Sequence, residues 1–200
     1  MKIFKKLRRI KGDASFRIFY RDDYNNSIKV FSNKEKTKNL LIYDAVNKLL
    51  IKNKILSPQL LSQNYSKNYI EIEDFGNQTL FKVLQKKNVN KYFIFKKIIK
   101  VLNKIQIIKN MKIKNFKNQT YKIKEYKKKI LYNEAKLFSD WYVAKKLSKL
   151  KSINFNKKFK KEVRNLLSKL SFKNDTFVHR DFHVSNLMYF NNNIGVIDSQ

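Results

Sequence analysis

Asp181 and Asn186 stand five residues apart in Val178-His179-Arg180-Asp181-Phe182-His183-Val184-Ser185-Asn186-Leu187-Met188, and Asp198 follows twelve residues later, after the apolar run Ile194-Gly195-Val196-Ile197. Such a set suits phosphoryl transfer. One carboxylate orients and deprotonates an attacking hydroxyl, while an amide oxygen and a second carboxylate hold the magnesium that neutralises a triphosphate. In that scheme Asp181 is the catalytic base, Asn186 and Asp198 are the metal ligands, and ATP and Mg2+ are the cofactors. A spacing of five lets a tight loop aim Asp181 and Asn186 into one cleft, with His179 bracing the backbone where the loop starts. The alternative is an Asn-rich surface loop carrying a stray Asp, and the short strand expected before Asp198 counts against it.

Holding these groups in place requires a scaffold, and the hydrophobic periodicity outlines one. Phe16 to Tyr20 and Ser27 to Phe31 read as the strands of a hairpin around Asp22-Asp23-Tyr24-Asn25-Asn26. From Asn39 to Asn53, Leu40, Leu41, Ala45, Val46, Leu49 and Leu50 form a helical stripe. Pro58, the only proline, marks a break, and Tyr69 to Glu73 reads as a strand ended by Gly76. Helical spacing then takes over in three segments. The first holds Ile94, Ile98, Val101, Leu102, Ile105 and Ile108. The second holds Ile130, Leu131, Ala135, Phe138 and Tyr142, and the third Phe159, Val163, Leu166, Leu167 and Leu170. Short strands return at Phe177 to His179, Leu187 to Tyr189 and Ile194 to Ile197. This order predicts an α+β fold with a small sheet-rich lobe over residues 1–75 and a helical lobe over 76–200. A cleft between lobes is a common small-molecule site.

Composition bounds the partners. With 42% hydrophobic residues the chain can bury a sizeable core, and with no Cys it has neither disulfides nor thiolate metal sites. No apolar run approaches membrane-spanning length. The basic start Met1-Lys2-Ile3-Phe4-Lys5-Lys6-Leu7-Arg8-Arg9 lacks the apolar stretch of a secretory signal. A soluble, cytoplasmic protein with no membrane partner is the expectation. The net charge of +31 would ordinarily suggest nucleic acid. Here 40 of the 46 basic residues are Lys, scattered over the whole length, and Asn, Ile, Tyr and Phe are also abundant. AT-rich codon usage accounts for that set, whereas base-reading sites favour clustered Arg. No specific nucleic-acid partner is expected, although a basic RNA-associated protein stands as a rival reading.

Several blocks carry a resemblance. They are Gly12-Asp13-Ala14-Ser15-Phe16-Arg17 with Tyr20-Arg21, Glu73-Asp74-Phe75-Gly76-Asn77-Gln78-Thr79, Glu134 with Leu137-Phe138-Ser139-Asp140-Trp141-Tyr142, Val178 to Met188, and Gly195 to Gln200. Together they resemble the aminoglycoside phosphotransferase-like kinases. Within these they are most similar to the anomeric amino-sugar kinases, which phosphorylate N-acetylmuramate and N-acetylglucosamine at C1 in cell-wall recycling. The resemblance implies a protein-kinase-like bilobal fold, with a small antiparallel-sheet nucleotide-binding lobe over 1–75 and a mostly helical catalytic lobe over 76–200. It implies an ATP- and Mg-dependent phosphotransferase acting on a small-molecule hydroxyl, with an amino sugar as the substrate.

Each block also has a physical reading. Backbone N–H groups of Gly12 to Ser15, with the Ser15 hydroxyl, could cradle phosphates, or form only a polar turn. Lys29, the basic residue inside its strand, could hold the α- and β-phosphates, or be simply one lysine among many. Backbone groups near Glu73 could bond adenine, or Glu71 and Glu73 could be solvated strand edges. Trp141, the only tryptophan, could pack on a sugar ring or in a core. Asp140 and Glu134 could bond sugar hydroxyls or be surface charge. His183 could touch substrate or brace the loop.

The resemblance breaks after Asp198. Relatives of this kind carry an aromatic there, followed by an acidic residue and further helices. Here Ser199 and Gln200 follow. The expectation is a carboxyl-terminally shortened catalytic lobe, either a fragment of a longer protein or a short form lacking a full acceptor site. Weak or absent turnover follows for 200 residues alone. A non-catalytic remnant that binds nucleotide or a partner is the alternative. Oligomeric state is not legible.

Overall fold

The computed structural model describes residues 7–10, 16–32, 38–171, 173 and 175–198. Five strands build an antiparallel sheet in the order β1-β2-β3-β5-β4, with β1 at Leu7–Arg9, β2 at Arg17–Asp22, β3 at Ser27–Ser32, β4 at Leu60–Asn64 and β5 at Tyr69–Glu73. The β2–β3 hairpin closes through its polar turn. Asp22 Oδ1 accepts from the backbone N–H groups of Tyr24 at 3.2 Å and Asn25 at 3.3 Å. Asn26 takes a φ of 49°, the left-handed region that Asn tolerates.

Strand register decides which side chains share a face. Arg21, Ile28 and Ile72 are in register, as are Val30 and Ile70, so these residues point one way. Lys29 pairs in register with Tyr20 and Glu71, and these point the other way. Helix α1 (Asn39–Lys52) covers the first face with Leu40 and Tyr43. Its other half sends Val46, Leu49 and Leu50 into a second, larger core. That core includes Leu80 and Val83 of α2 (Leu80–Leu84) and Ile94, Ile98 and Ile105 of α3 (Lys91–Gln106). A hairpin of β8 (Leu187–Phe190) and β9 (Asn193–Val196) adds Leu187, Ile194 and Val196. One helix therefore joins the sheet to the hairpin that Asn186 and Asp198 flank. A small ladder of β6 (Lys112–Lys114) and β7 (Thr120–Lys122) follows α3.

Side-chain caps start α3 and α2. The Asn90 side chain accepts from the Phe93 N–H at 3.0 Å, and Thr79 accepts from the Lys82 N–H at 3.4 Å. The segment from Phe177 to His179, read from sequence as a strand, joins no ladder among the described residues. It is tied to the larger core by the Phe177 N–H, which donates to the Ile108 carbonyl at 2.9 Å. Among the described residues no helix is long and apolar enough to cross a membrane.

Two compact units result, Met1–Ile123 with Phe177–Gln200, and Lys124–Thr176. The second, taken by itself, is helical. Helix α4 (Lys128–Leu137) runs into a π-helical segment, Phe138–Val143, followed by α5 (Ala144–Lys146) and α6 (Lys149–Lys169). Phe138 stacks on Tyr142 at 5.5 Å and meets Phe155 and Phe159 of α6.

Candidate active site

Local turns bring the three oxygen-bearing residues together. After His179 the chain turns tightly. The His183 N–H donates to the Asp181 carbonyl at 3.1 Å, and the Asn186 N–H donates to the His183 carbonyl at 2.9 Å. The β8–β9 hairpin then reverses the chain through Asn191 and Asn192, both at positive φ (46° and 59°), as a two-residue hairpin turn requires. It is anchored from outside. The Val196 N–H donates to the Leu56 carbonyl at 2.8 Å, and the Ser57 hydroxyl donates to the Val196 carbonyl at 3.0 Å. The Ile197 N–H donates to the Asn186 carbonyl at 3.0 Å, which sets Asp198 beside Asn186.

Side chains complete the cluster. Asn186 Nδ2 donates to Asp181 Oδ2 at 2.8 Å and to the Asp181 carbonyl at 3.2 Å. The amide nitrogen is thereby turned to Asp181, and the amide oxygen points away from it. His183 Nδ1 accepts from the Ser185 N–H at 3.2 Å, and its Nε2 lies 3.2 Å from Asp181 Oδ1 and 3.3 Å from Asn186 Nδ2. Both Asp181 oxygens are thus oriented, while the side chain stays 43% exposed. Arg180 (φ 68°) and Asp198 (φ 54°) adopt left-handed backbone on either side of this cluster. That conformation costs a non-glycine residue about 1 kcal/mol and is concentrated at functional sites.

His179 is buried beneath the cluster, with its ring edge against Phe182 and a hydrogen bond to the Ile197 backbone. Burial lowers its pKa, and the carboxylates of Asp181 and Asp198 offset this only partly. A neutral imidazole therefore braces the turn that carries Asp181 against the segment before Asp198.

Asp181, Asn186 and Asp198 line one cavity of about 520 Å³. Phe19, Ile28 and Ile72 from the sheet and Met188 and Ile197 from the hairpin side add apolar lining. Hard oxygen donors, one carboxylate and one amide, match what Mg2+ takes when phosphates supply further ligands. The residues present fit a magnesium–nucleotide complex.

Of the other residues read from sequence, His183 and Glu73 also line this cavity. The Glu73 backbone N–H is committed to the Gln59 carbonyl at 2.9 Å. Lys29 is on the opposite face of the sheet, where its ammonium donates to Asp22 Oδ2 at 2.7 Å. This bond holds the Asp22 carboxyl below its usual range and raises Lys29. Ser15 lies outside the described residues. Glu134, Asp140 and Trp141 belong to the second unit. There Glu134 accepts from the Tyr126 hydroxyl. Asn156 Nδ2 donates to Asp140 at 3.1 Å, with Lys160 at 3.3 Å and Lys136 at 3.5 Å, and these partners lower the Asp140 pKa. Trp141 is 66% exposed rather than in a core.

Two arginines that sequence reasoning passed over enter the cavity from β2. Arg21 grips the segment after β5. Its guanidinium bonds both Asp74 oxygens, the Asn77 side chain and, at 2.6 Å, the Gly76 carbonyl. Arg17 donates to Asp198 Oδ1 at 2.8 Å and lies over the Tyr43 ring at 4.4 Å. Burial raises the Tyr43 pKa to about 12, keeping it neutral. The signal available in sequence was the shared parity of Arg17, Phe19 and Arg21 on one strand.

The model of the phosphotransferase enzyme family matches residues 6–199. Among curated proteins, the chain is 25% identical over 194 residues to the N-acetylmuramate/N-acetylglucosamine kinase of Neisseria meningitidis serogroup B, covering 94% of this chain and 54% of that protein. It is 26% identical over 190 residues to the protein of the same name from Pseudomonas aeruginosa, covering 94% and 53%. The chain thus spans about half the length of the curated relatives it matches. Among solved structures, the streptomycin–ATP–APH(2")-IIa ternary complex superposes with a TM-score of 0.59 at 13% identity, over 96% of this chain and 64% of that one. The ADP-bound aminoglycoside phosphotransferase APH(2'')-Ib gives 0.57 at 15% identity, with the same coverage. At such identities the likeness establishes the fold, an α+β kinase-like architecture.

Proposed function

Because this chain belongs to the phosphotransferase enzyme family, we propose that its cavity binds ATP with Mg2+ and that it moves the γ-phosphoryl group to a small-molecule hydroxyl, the anomeric hydroxyl of an amino sugar of the N-acetylmuramate or N-acetylglucosamine type. The observation that carries this reading is the hydrogen-bonded run from Asp181 through Asn186 to the Ile197–Asp198 segment on one cavity wall. Asp181 takes the proton of the attacking hydroxyl as the oxygen–phosphorus bond forms and the bond to the β-phosphate oxygen breaks, releasing ADP. Asn186 Oδ1 and the Asp198 carboxylate hold the metal, which neutralises phosphate charge. Apolar lining residues of the cavity take adenine, near the Glu73 backbone. In this division residues 1–75 serve the nucleotide and 76–200 the chemistry. His183 orients Asp181. In the second unit, taken by itself, the exposed Trp141 is an aromatic face of the kind that packs on sugar rings, with Asp140 and Glu134 on the same stretch of helix. Ser15 is the remaining residue assigned to the nucleotide, whereas Lys29, on the opposite face of the sheet and bonded to Asp22, is left out of it. The setting proposed is cytoplasmic.

Binding and turnover are measured separately. Calorimetry with Mg–ATP is expected to show saturable binding. A panel of N-acetylmuramate, N-acetylglucosamine, choline and an aminoglycoside, with γ-labelled ATP, is expected to label the amino sugars first. Asp181→Asn should keep nucleotide binding and lower turnover by about 10³-fold. No Mg–ATP binding by the unsubstituted chain would defeat the proposal. Labelling of choline or the aminoglycoside alone would move the substrate class.

A further inference from the structure

A triphosphate brings more negative charge than one divalent ion offsets, so the cavity needs a cation of its own. Among the described residues lining it, three are cationic: Arg17, Arg21 and Lys82. Lys82 is exposed on α2, and Arg21 is consumed by Asp74, Asn77 and Gly76. Arg17 differs. Its side chain is 6% exposed, it is steadied over Tyr43, and it pairs with Asp198, a residue suited to a different cation. Burying an ion pair roughly breaks even in stability, so stability alone does not account for a guanidinium stationed there.

We propose, resting on the nucleotide-binding reading above, that Arg17 is the phosphate-binding cation of this site and exchanges one anion for another. Without nucleotide it neutralises Asp198. When Asp198 turns to magnesium, the guanidinium needs a replacement for the carboxylate oxygen, and the phosphates that arrive with the metal supply it. The planar fork of Arg matches phosphate oxygens in pairs, as a lysine ammonium does not. Tyr43 keeps the guanidinium in place through the exchange. Lys29, on the far face and paired with Asp22, is then part of the hairpin and not of the phosphate site.

The test compares Mg–ADP with adenosine by calorimetry. Arg17→Gln is expected to weaken Mg–ADP on the order of 30-fold, the value of charge-assisted hydrogen bonds, while adenosine binding is unchanged. Arg17→Lys should recover part of the loss. An equal loss for both ligands, or no loss for Mg–ADP, overturns the proposal. Failure of both ligands to bind the unsubstituted chain overturns the nucleotide reading itself, and this inference with it. Should Arg17→Gln not hold its fold by circular dichroism, Asp198→Asn gives an independent reading. It removes the carboxylate that competes with phosphate for the guanidinium, so metal-free ADP should bind about tenfold tighter, and by more than Asp181→Asn achieves at the same cavity. An equal or smaller gain than Asp181→Asn gives overturns the proposal.

Discussion

His179 carries a consequence that stability measurements can reach. Its buried ring resists protonation in the fold, whereas in the unfolded chain it takes a proton near its ordinary value of 6.5. Protons therefore favour the unfolded state below that pH. Stability is lost as pH falls from 6.5 toward the lowered folded value, by up to about 1.4 kcal/mol per pH unit. Melting curves between pH 7.5 and 5.5 should show this fall, and His179→Asn should be less stable at pH 7.5 but flatter across the range. A parallel slope in the variant would mean that another group is titrating. At this scale the grouping of Asp181, Asn186 and Asp198 was legible, because a tight loop and a two-residue hairpin turn are local devices written in short spacings. Arg17 was not. In Arg17-Ile18-Phe19-Tyr20-Arg21 both faces of the strand are partly apolar, so nothing local says which parity meets the cavity. That is settled by the register with Ile28 and Ile72, and the same register sends Lys29 to the opposite side.

Elements show the same contrast between local and distant information. The stripes of α1 and α3 and the strand β5 were legible because periodic burial is a property of consecutive residues. Strand β4, Leu60-Leu61-Ser62-Gln63-Asn64, has no alternation and exists because β5 offers it an edge. The π-helical turn at Phe138–Val143 is likewise decided by what α6 presents to it. The segment after β5 is held in a related way. Gly76 is at φ 77°, Asp74 Oδ1 accepts from the Gly76 N–H at 2.7 Å, and Arg21 spans the whole turn. Asp74 and Arg21 side chains are only 11% and 8% exposed, so removing the guanidinium leaves a nearly buried carboxylate uncompensated. Arg21→Met should lower unfolding free energy by about 3 kcal/mol in urea, and Arg21→Met/Asp74→Leu should recover more than half. A loss below about 1 kcal/mol would show that the turn stands without its clamp. Gly195 is a second restraint on the same segment. A Cβ there would come within 2.7 Å of the Phe75 ring, which stacks on Phe190 at 4.8 Å. Gly195→Ala should cost about 1–3 kcal/mol by the same measurement, and a neutral result would mean Phe75 can move.

Charge belongs to the molecule as a whole. A surplus of +31 over 200 residues attracts any polyanion, and it does so without reading sequence. Such binding and the proposed chemistry make separate demands. The cavity's lining offers a few short-range oxygens, two guanidiniums and apolar side chains, and salt screens such close contacts little. The lysines lie scattered along the chain, and interactions between exposed charges fade beyond about 8 Å at physiological ionic strength. RNA binding should therefore fall at least about a hundredfold between 50 and 200 mM salt, with equal affinity for unrelated sequences and no change in Asp181→Ala. Mg–ADP binding over the same range should change by less than about threefold, because its contacts are short-range. Filter binding for RNA and calorimetry for nucleotide make the comparison on one preparation. Salt-resistant, sequence-selective RNA binding would reverse the assignment of the charge from composition to purpose, since only placed contacts survive screening.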